Sequence, residues 1–171
     1  VRCFVDEDII HVDGNVDPLR DVEIINLELI LADLAQIEKK LEKSRKLPKN
    51  DSEELAVLEK INEVLVAGKP ARSAGLSVDE EQLIKGLMLL TLKPVIYAAN
   101  VSDNDLATGN ELSKQLYEFA AAEGSIVVLV SAQVESELAL LGVEDRAEYL
   151  ASLGVSEEEC GLKALVRAAY D

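Results

Sequence analysis

Apolar runs and helix-period stripes alternate along this chain, and their order predicts most of the fold. Two stretches are apolar at nearly every position: Pro94-Val95-Ile96-Tyr97-Ala98-Ala99-Asn100 and Ser125-Ile126-Val127-Val128-Leu129-Val130-Ser131-Ala132. A strand covered on both faces has this pattern, because neither pleated face meets water. Gly109 to Ala122, between them, reads as a helix. Strands alternating with helices predict a parallel sheet. Val1-Arg2-Cys3-Phe4-Val5 reads as another short buried strand. Turn signals follow within residues 6–19, at Asp13-Gly14-Asn15 and Asp17-Pro18.

A different pattern occupies the middle of the chain. From Arg20 to about Lys46, Ile24, Leu27, Leu31, Leu34 and Leu41 recur at alternating three and four spacing, with Glu38 the one interruption. That spacing predicts a helix with a heptad seam. Pro48, Asn50, Asp51 and Ser52 end it and start the next helix, with Asp51 and Glu54 as a capping box. The second helix carries Leu55, Leu58, Ile61 and Leu65 to about Ala67 and stops at Gly68 and Pro70. Two seamed helices with a short connection predict an antiparallel hairpin, or short coiled coil. A third helix is expected from Val78 to Leu90, and a helical tail from Glu144 to Tyr170 with breaks at Gly154 and Gly161. The predicted architecture is one α/β domain, residues 1–19 and 93–171, interrupted by a helical insertion, residues 20–92.

Composition narrows the function classes. The 171 residues are 49% hydrophobic, enough for a core, and carry a formal net charge of −16. Such a chain repels nucleic acid and anionic membranes overall. Aromatics make up 4% and Trp is absent, which argues against a base-stacking platform for single strands. No apolar run approaches the length a bilayer demands, and no stretch reads as a signal peptide. Cys3 and Cys160 fit no metal or redox spacing and read as reduced thiols of a cytoplasmic protein. The chain starts at Val1 within a strand-like run, not at a Met, so it is expected to be a fragment.

Candidate chemistry lies at two strand ends. In open parallel sheets, ligands sit beyond the carboxyl ends of strands. Here those ends are Asn100-Val101-Ser102-Asp103 and Ser131-Ala132-Gln133. Asn, Ser and Asp are also ordinary turn residues, so position alone leaves plain turn chemistry open.

The wider sequence resembles a known family. Asn100-Val101-Ser102-Asp103 and Ser131-Ala132 stand in the order of the N-K-x-D and S-A motifs of P-loop GTPases. His11-Val12-x-Gly14-x-Val16-Asp17-Pro18, Glu28-Leu29-x-Leu31-Ala32-Asp33-Leu34, Lys69-Pro70-Ala71-Arg72 and Leu92-Lys93-Pro94-Val95-Ile96-Tyr97 are similar to stretches of the Obg-like ATPase (YchF) family, as are Val1-Arg2-Cys3-Phe4 and Gly161-Leu162 with Ala169-Tyr170. The resemblance implies a partial P-loop, GTPase-like domain with a coiled-coil insertion, from a ribosome-associated, ATP-preferring hydrolase that continues into a TGS domain. It implies base contacts at Asn100, Val101 and Asp103, with Ser131 and Ala132 closing the other side of the base. The family motif usually ends in Glu, whereas this chain has Asp103, the GTPase form; ATP versus GTP therefore stays open. No G-x-x-x-x-G-K-S/T loop occurs in the chain, so nothing here cradles phosphates in that manner. ATP or GTP with Mg2+ is thus expected as the cofactor of the intact protein, none is expected tightly bound to this chain, and no catalytic residue or metal ligand is assigned.

One basic cluster stands out against the acidic background. Lys39, Lys40, Lys43, Arg45, Lys46 and Lys49 are six of the 17 Lys and Arg residues, all near the expected hairpin tip. Positive charge is favourable at a helix C-terminus, so a solvated face explains them. The alternative is an arm that meets ribosomal RNA phosphates. His11, the one histidine, has no nucleophile spaced to partner it, and Asp6-Glu7-Asp8 and Glu157-Glu158-Glu159 read as solvated carboxylates. Two readings follow. One is part of a ribosome-associated nucleoside-triphosphatase, expected to be inactive alone and monomeric, since the hairpin satisfies its own seams. The other is a non-catalytic interaction module with the hairpin as a docking arm.

Overall fold

The two apolar runs pair as a parallel sheet, β1 (Ile96–Asn100) and β2 (Ile126–Val130), with Ile96 opposite Ile126 and Asn100 opposite Val130. The structure is a computed structural model that describes residues 1–6, 14–46, 52–156 and 161–170. The chain divides into two units, Val1–Val22 with Val95–Asp171, and Glu23–Pro94.

In the first unit, the segment at Val1 lies alongside β1. The Val1 ammonium donates to the Ala98 carbonyl at 2.8 Å, Asn100 N–H to the Val1 carbonyl at 2.8 Å, and Cys3 N–H to the Asn100 carbonyl at 2.7 Å. The expected strand over residues 1–5 is reduced to a single parallel bridge, Arg2 with Asn100. Helix α4 (Glu111–Glu123) joins β1 to β2, and its Leu116 and Ala120 are buried against Tyr97, Ala99 and Val101. The Tyr97 and Phe119 rings meet edge to face at 6.0 Å, a favoured aromatic geometry. Ser131 and Ala132, expected within the second strand, instead begin helix α5 (Ala132–Leu138), because the Ser131 hydroxyl accepts the Val134 N–H. The expected helical tail is α6 (Val143–Ser152) and α7 (Gly161–Tyr170). Gly161 sits at φ +58, and a Cβ there would collide with Glu135 Oε1. That same oxygen accepts the Leu162 N–H at 2.8 Å, so glycine alone lets α5 hold the first turn of α7.

The second unit is helical. Helix α1 (Pro18–Arg45) starts with Pro in its first turn, where no intrahelical N–H is needed. Helix α2 (Ser52–Val66) and helix α3 (Val78–Ile84) follow. Their core combines Ile30, Ile37 and Leu41 of α1 with Val57, Leu58, Ile61 and Leu65 of α2, and with Ala71, Ile84 and Leu89. The expected seam is therefore rotated. Ile24, Leu27 and Leu31 are 44%, 52% and 54% exposed, while the buried line runs through Ile30, Asp33, Ile37 and Leu41. Helix α1 is apolar around more than one face, so the spacing admits two seams, and a polar residue holds a place in the one adopted. The capping residue Asp51 lies outside the described residues.

Asp33 explains that choice. It is 1% exposed, and its carboxylate accepts Leu90 N–H at 2.8 Å, Thr91 N–H at 2.7 Å and the Thr91 hydroxyl at 2.6 Å. The Thr91 hydroxyl oxygen in turn accepts the Ala71 N–H at 2.9 Å. The third helix also ends earlier than expected: α3 stops at Ile84 and gives way to a 3₁₀ turn, Lys85–Leu87, then Met88 in the left-handed region. Drawing Leu90 and Thr91 onto Asp33 forces that exit. Among the described residues no helix is long and apolar enough to cross a membrane.

Replacing Asp33 by Ala strands two buried donors, the Thr91 N–H and hydroxyl, each costing about 1–3 kcal/mol when unpaired, and frees the part-buried Leu90 N–H. Asp33→Ala is expected to lower unfolding free energy by at least ~2 kcal/mol on that scale, read by urea denaturation. A loss under ~1 kcal/mol would show that apolar packing alone holds the segment.

Candidate functional site

The carboxyl ends of β1 and β2 are tied together by one side chain. Asn100, the last residue of β1, accepts the Ala132 N–H on its Oδ1 at 3.0 Å. Its backbone is meanwhile fixed on the opposite side by Val1 and Cys3. Directly beyond, Val101 N–H donates to the Val130 carbonyl at 2.9 Å and the side chain is buried. Ser131 is 1% exposed, its hydroxyl engaged at the start of α5. Ala132 is exposed at the mouth of this arrangement, and Asn100 and Asp103 are half-buried. Of the residues singled out in the sequence, the structure thus brings Asn100, Val101, Ser131 and Ala132 together directly.

Asp103 starts a 3₁₀ turn, Asp103–Asp105, and its Oδ1 accepts the Asn104 N–H at 2.8 Å. The turn is shaped by two residues that the sequence pattern did not single out. Asp105 Oδ2 accepts the Ser102 hydroxyl at 2.9 Å and the Asn110 side-chain amide at 2.8 Å. Asn110 Nδ2 also donates to the Cys3 carbonyl at 2.7 Å, and its Oδ1 accepts Ser113 N–H at the start of α4. One amide therefore fastens the first segment, the loop after β1 and the next helix. Asn before a helical run is a recognisable N-cap signal; its second role needs the fold.

A further pair flanks the site. The Tyr149 hydroxyl of α6 donates to Glu137 Oε2, and Gln133 Nε2 donates to Glu137 Oε1 at 3.3 Å. The bond to Glu137 holds the Tyr149 phenol above its ordinary pKa, helped by burial and by the charges of Glu137 and Asp103. The same bond lowers Glu137, because hydrogen bonds stabilise its carboxylate form. Among the described residues, no group of three or more His, Cys, Asp or Glu side chains is arranged to hold a metal ion.

The basic cluster lies elsewhere, on the last turns of α1. Lys40 pairs with Glu54 at 2.8 Å, Arg45 with Glu59 at 3.0 Å and Lys46 with Glu42 at 2.5 Å. Among the described residues, Lys39 and Lys43 have no carboxylate partner, and both are exposed. Lys49 and His11 lie outside the described residues, as do Glu7, Asp8 and Glu157 to Glu159.

Parallel strand ends joined through an Asn amide, with a helix starting beside it, lie at the edge where open α/β sheets generally hold their ligands. Comparison with known proteins makes this specific. The chain is 43% identical over 176 residues to the ribosome-binding ATPase YchF of Bacillus subtilis (strain 168), covering 99% of this chain and 48% of that protein. It is 44% identical over 174 residues to the ribosome-binding ATPase YchF of Haemophilus influenzae, covering 99% and 47%. The solved structure of the Schizosaccharomyces pombe YchF GTPase matches with a TM-score of 0.84 at 32% identity, covering 99% of this chain and 48% of that one. No family model matches. Over its whole length this chain is a sequence of the YchF, or Obg-like ATPase, family. It spans about half the length of the curated relatives it matches.

Cys3 offers a probe of the site, since its backbone is bonded to Asn100 and Asn110. Burial pushes its thiol up to about 11, against the pull of the Val1 ammonium and with a further upward push from Asp21. The neutral thiol's contribution to stability is intact below the ordinary value of 9.0 and shrinks as pH rises toward 11. In a Cys160→Ser background, Cys3 is expected to resist a thiol-specific disulfide reagent at pH 8 by about tenfold or more relative to a free cysteine. Asn110→Ala should remove that protection. Fast labelling of the unaltered Cys3 would show the strand-end cluster to be open in solution.

Proposed function

We propose that the ends of β1 and β2 form the base-recognition side of a nucleoside-triphosphate site in a ribosome-associated P-loop hydrolase. The observation that carries this reading is the Asn100–Ala132 bond, which joins the N-x-x-D segment to the S-A segment. With Oδ1 so engaged, the two N–H donors of the Asn100 amide are left for a ligand. A purine N7 suits them, being an acceptor in adenine and guanine alike. Asn100 therefore selects purines without choosing between them. Val101 supplies a buried apolar floor and Ser131 with Ala132 the opposite wall.

Asp103 and Val101 bear on the choice of base in opposite directions. The Asp103 carboxylate only accepts. Guanine offers a ring N–H and an exocyclic amine side by side; adenine offers its N6 amine alone. By charge Asp103 suits guanine, while Val101 lacks the long stem that Lys gives GTPases at this position. The names of the relatives are themselves divided, ATPase for the two bacterial proteins and GTPase for the fission-yeast structure. We favour ATP, with more residual GTP use than a relative ending its motif in Glu. The phosphates and Mg2+ are assigned to no residue here, since the chain lacks the G-x-x-x-x-G-K-S/T loop; other segments of the protein are to supply them.

The insertion is proposed as an antiparallel hairpin arm, in a monomeric cytoplasmic protein, that meets the ribosome at its tip. The bacterial relatives' names support the partner. The ion pairs narrow the candidates: Lys40, Arg45 and Lys46 answer carboxylates within the arm, so Lys39 and Lys43 are the cations best placed to meet RNA phosphates.

Two measurements test this on a full-length protein carrying the stretch. In direct ATP–GTP competition, ATP is expected to win, and Asp103→Glu to widen its lead. A GTP preference abolished by Asp103→Glu would assign base choice to the aspartate alone. In ribosome cosedimentation across a salt series, Lys39→Glu with Lys43→Glu should lower the log-log slope by roughly 0.7–0.9 for each phosphate that the arm ceases to neutralise. An unchanged slope would leave the cluster as a solvated, self-paired face.

A further inference from the structure

The insertion unit holds an open groove of about 730 Å³ built by residues 81–93. Ile84 and Leu89 form its buried floor, at 1% and 2% exposure, and Leu92 continues it. Met88 stands over it, 70% exposed at φ 51. A methionine in the left-handed region is strained, and such strain persists only where the surroundings impose it. The imposition is visible. Leu87 carbonyl accepts the Gln36 amide at 2.6 Å, Met88 N–H donates to the Lys85 carbonyl at 3.2 Å, and Asp33 holds Leu90 and Thr91. A buried carboxylate and an amide of α1 thus present an apolar, adaptable side chain to solvent at a backbone cost. Stability alone favours glycine at such a position.

The rim adds a charge signature. Lys85 and Lys93 both line the groove, and among the described residues neither has a carboxylate partner, while Glu81 is the one acid on the lining. This is a locally cationic, apolar surface on a chain of net charge −16.

We propose that this groove docks an amphipathic helical segment of a partner protein, with apolar anchors over Ile84, Met88 and Leu89 and acidic residues facing Lys85 and Lys93. Methionine suits such a surface because its unbranched thioether repacks around different anchors. Helix-in-groove recognition joins apolar anchors at i, i+3, i+4 and i+7 to flanking charges. An apolar floor does not suit phosphate. The groove shares no residue with the strand ends, so its failure or success is independent of nucleotide binding.

The test titrates the 171-residue chain against a labelled helical peptide with leucines at i, i+3, i+4 and i+7 and glutamates beside them. A twin carries lysines in place of those glutamates. Fluorescence anisotropy is expected to show the Glu-flanked peptide binding about tenfold or more tightly than its twin. Lys85→Glu with Lys93→Glu should reverse the order. Met88→Gly should weaken binding about tenfold, while the thermal midpoint holds or rises, because glycine accepts that backbone without strain. That pairing separates lost binding from lost fold. Equal affinity for both peptides, no binding, or unaltered binding by Met88→Gly would overturn the proposal. A concentration-dependent dimer dispersed by Met88→Glu would overturn it too, by giving the groove to a second copy of the chain.

Discussion

Everything at the strand ends depends on how Asn100 is held. Its N–H and C=O are used by the segment at Val1 and Cys3, and its side-chain oxygen by the N–H of Ala132. A residue fixed on both its backbone and its side chain has little rotamer freedom left. Whatever its remaining amide donors meet is met in one orientation, and a site gains specificity when its polar groups are ordered before the ligand arrives. The surrounding bonds serve that end. Asp105 and Asn110 keep the loop after β1 from drifting, and the Ser131 hydroxyl keeps α5 starting where its first N–H meets Asn100. No single bond among these is worth much, about 1 kcal/mol net for an exchange with water. Their convergence on one residue gives the site its definition.

How far this was legible in the sequence varies by element, for physical reasons. The strands were legible because burial on both faces leaves few polar positions, and Ile96–Asn100 and Ile126–Val130 fall inside the runs expected. Helix α1 was legible as a helix but not as a face, since Ile24, Leu27 and Leu31 compete with Ile30, Asp33 and Ile37 for the buried side. The decision rests on hydrogen bonds that Asp33 accepts from residues 57 and 58 positions away. The early end of α3 has the same distant cause. At the site, the order Asn, Asp, Ser-Ala could be read directly. Asp105 and the second role of Asn110 could not, because Asp105 answers the Asn110 amide only once the loop is folded, and that amide's other bond needs Cys3 brought close from the far end of the unit. The self-pairing of Lys40 and Arg45 was hidden likewise, since it requires α2 alongside α1.

The two units solve the polar problem differently. At the strand ends Asn100 and Asp103 are half-exposed and partly uncommitted, as the proposed binding surface requires. In the insertion, Asp33 is fully enclosed and completely answered, by two backbone donors and one hydroxyl. Enclosing a charge is expensive unless each lone pair finds a donor. Once answered, it fixes geometry more sharply than apolar packing does, which is why a strained Met88 can persist a few residues away.

The pairing at Val1 carries a consequence for how the chain comes to be folded. The Val1 nitrogen meets the Ala98 carbonyl, 97 residues later, and the intervening stretch includes the insertion unit. During synthesis at about 5–20 residues per second, the first segment waits several seconds for its neighbour to emerge. An insertion that folds meanwhile draws its own ends toward each other and shortens the effective loop to be closed, easing a closure cost that grows with the logarithm of loop length. Asp33 and Thr91, meeting across that unit, act as a clasp.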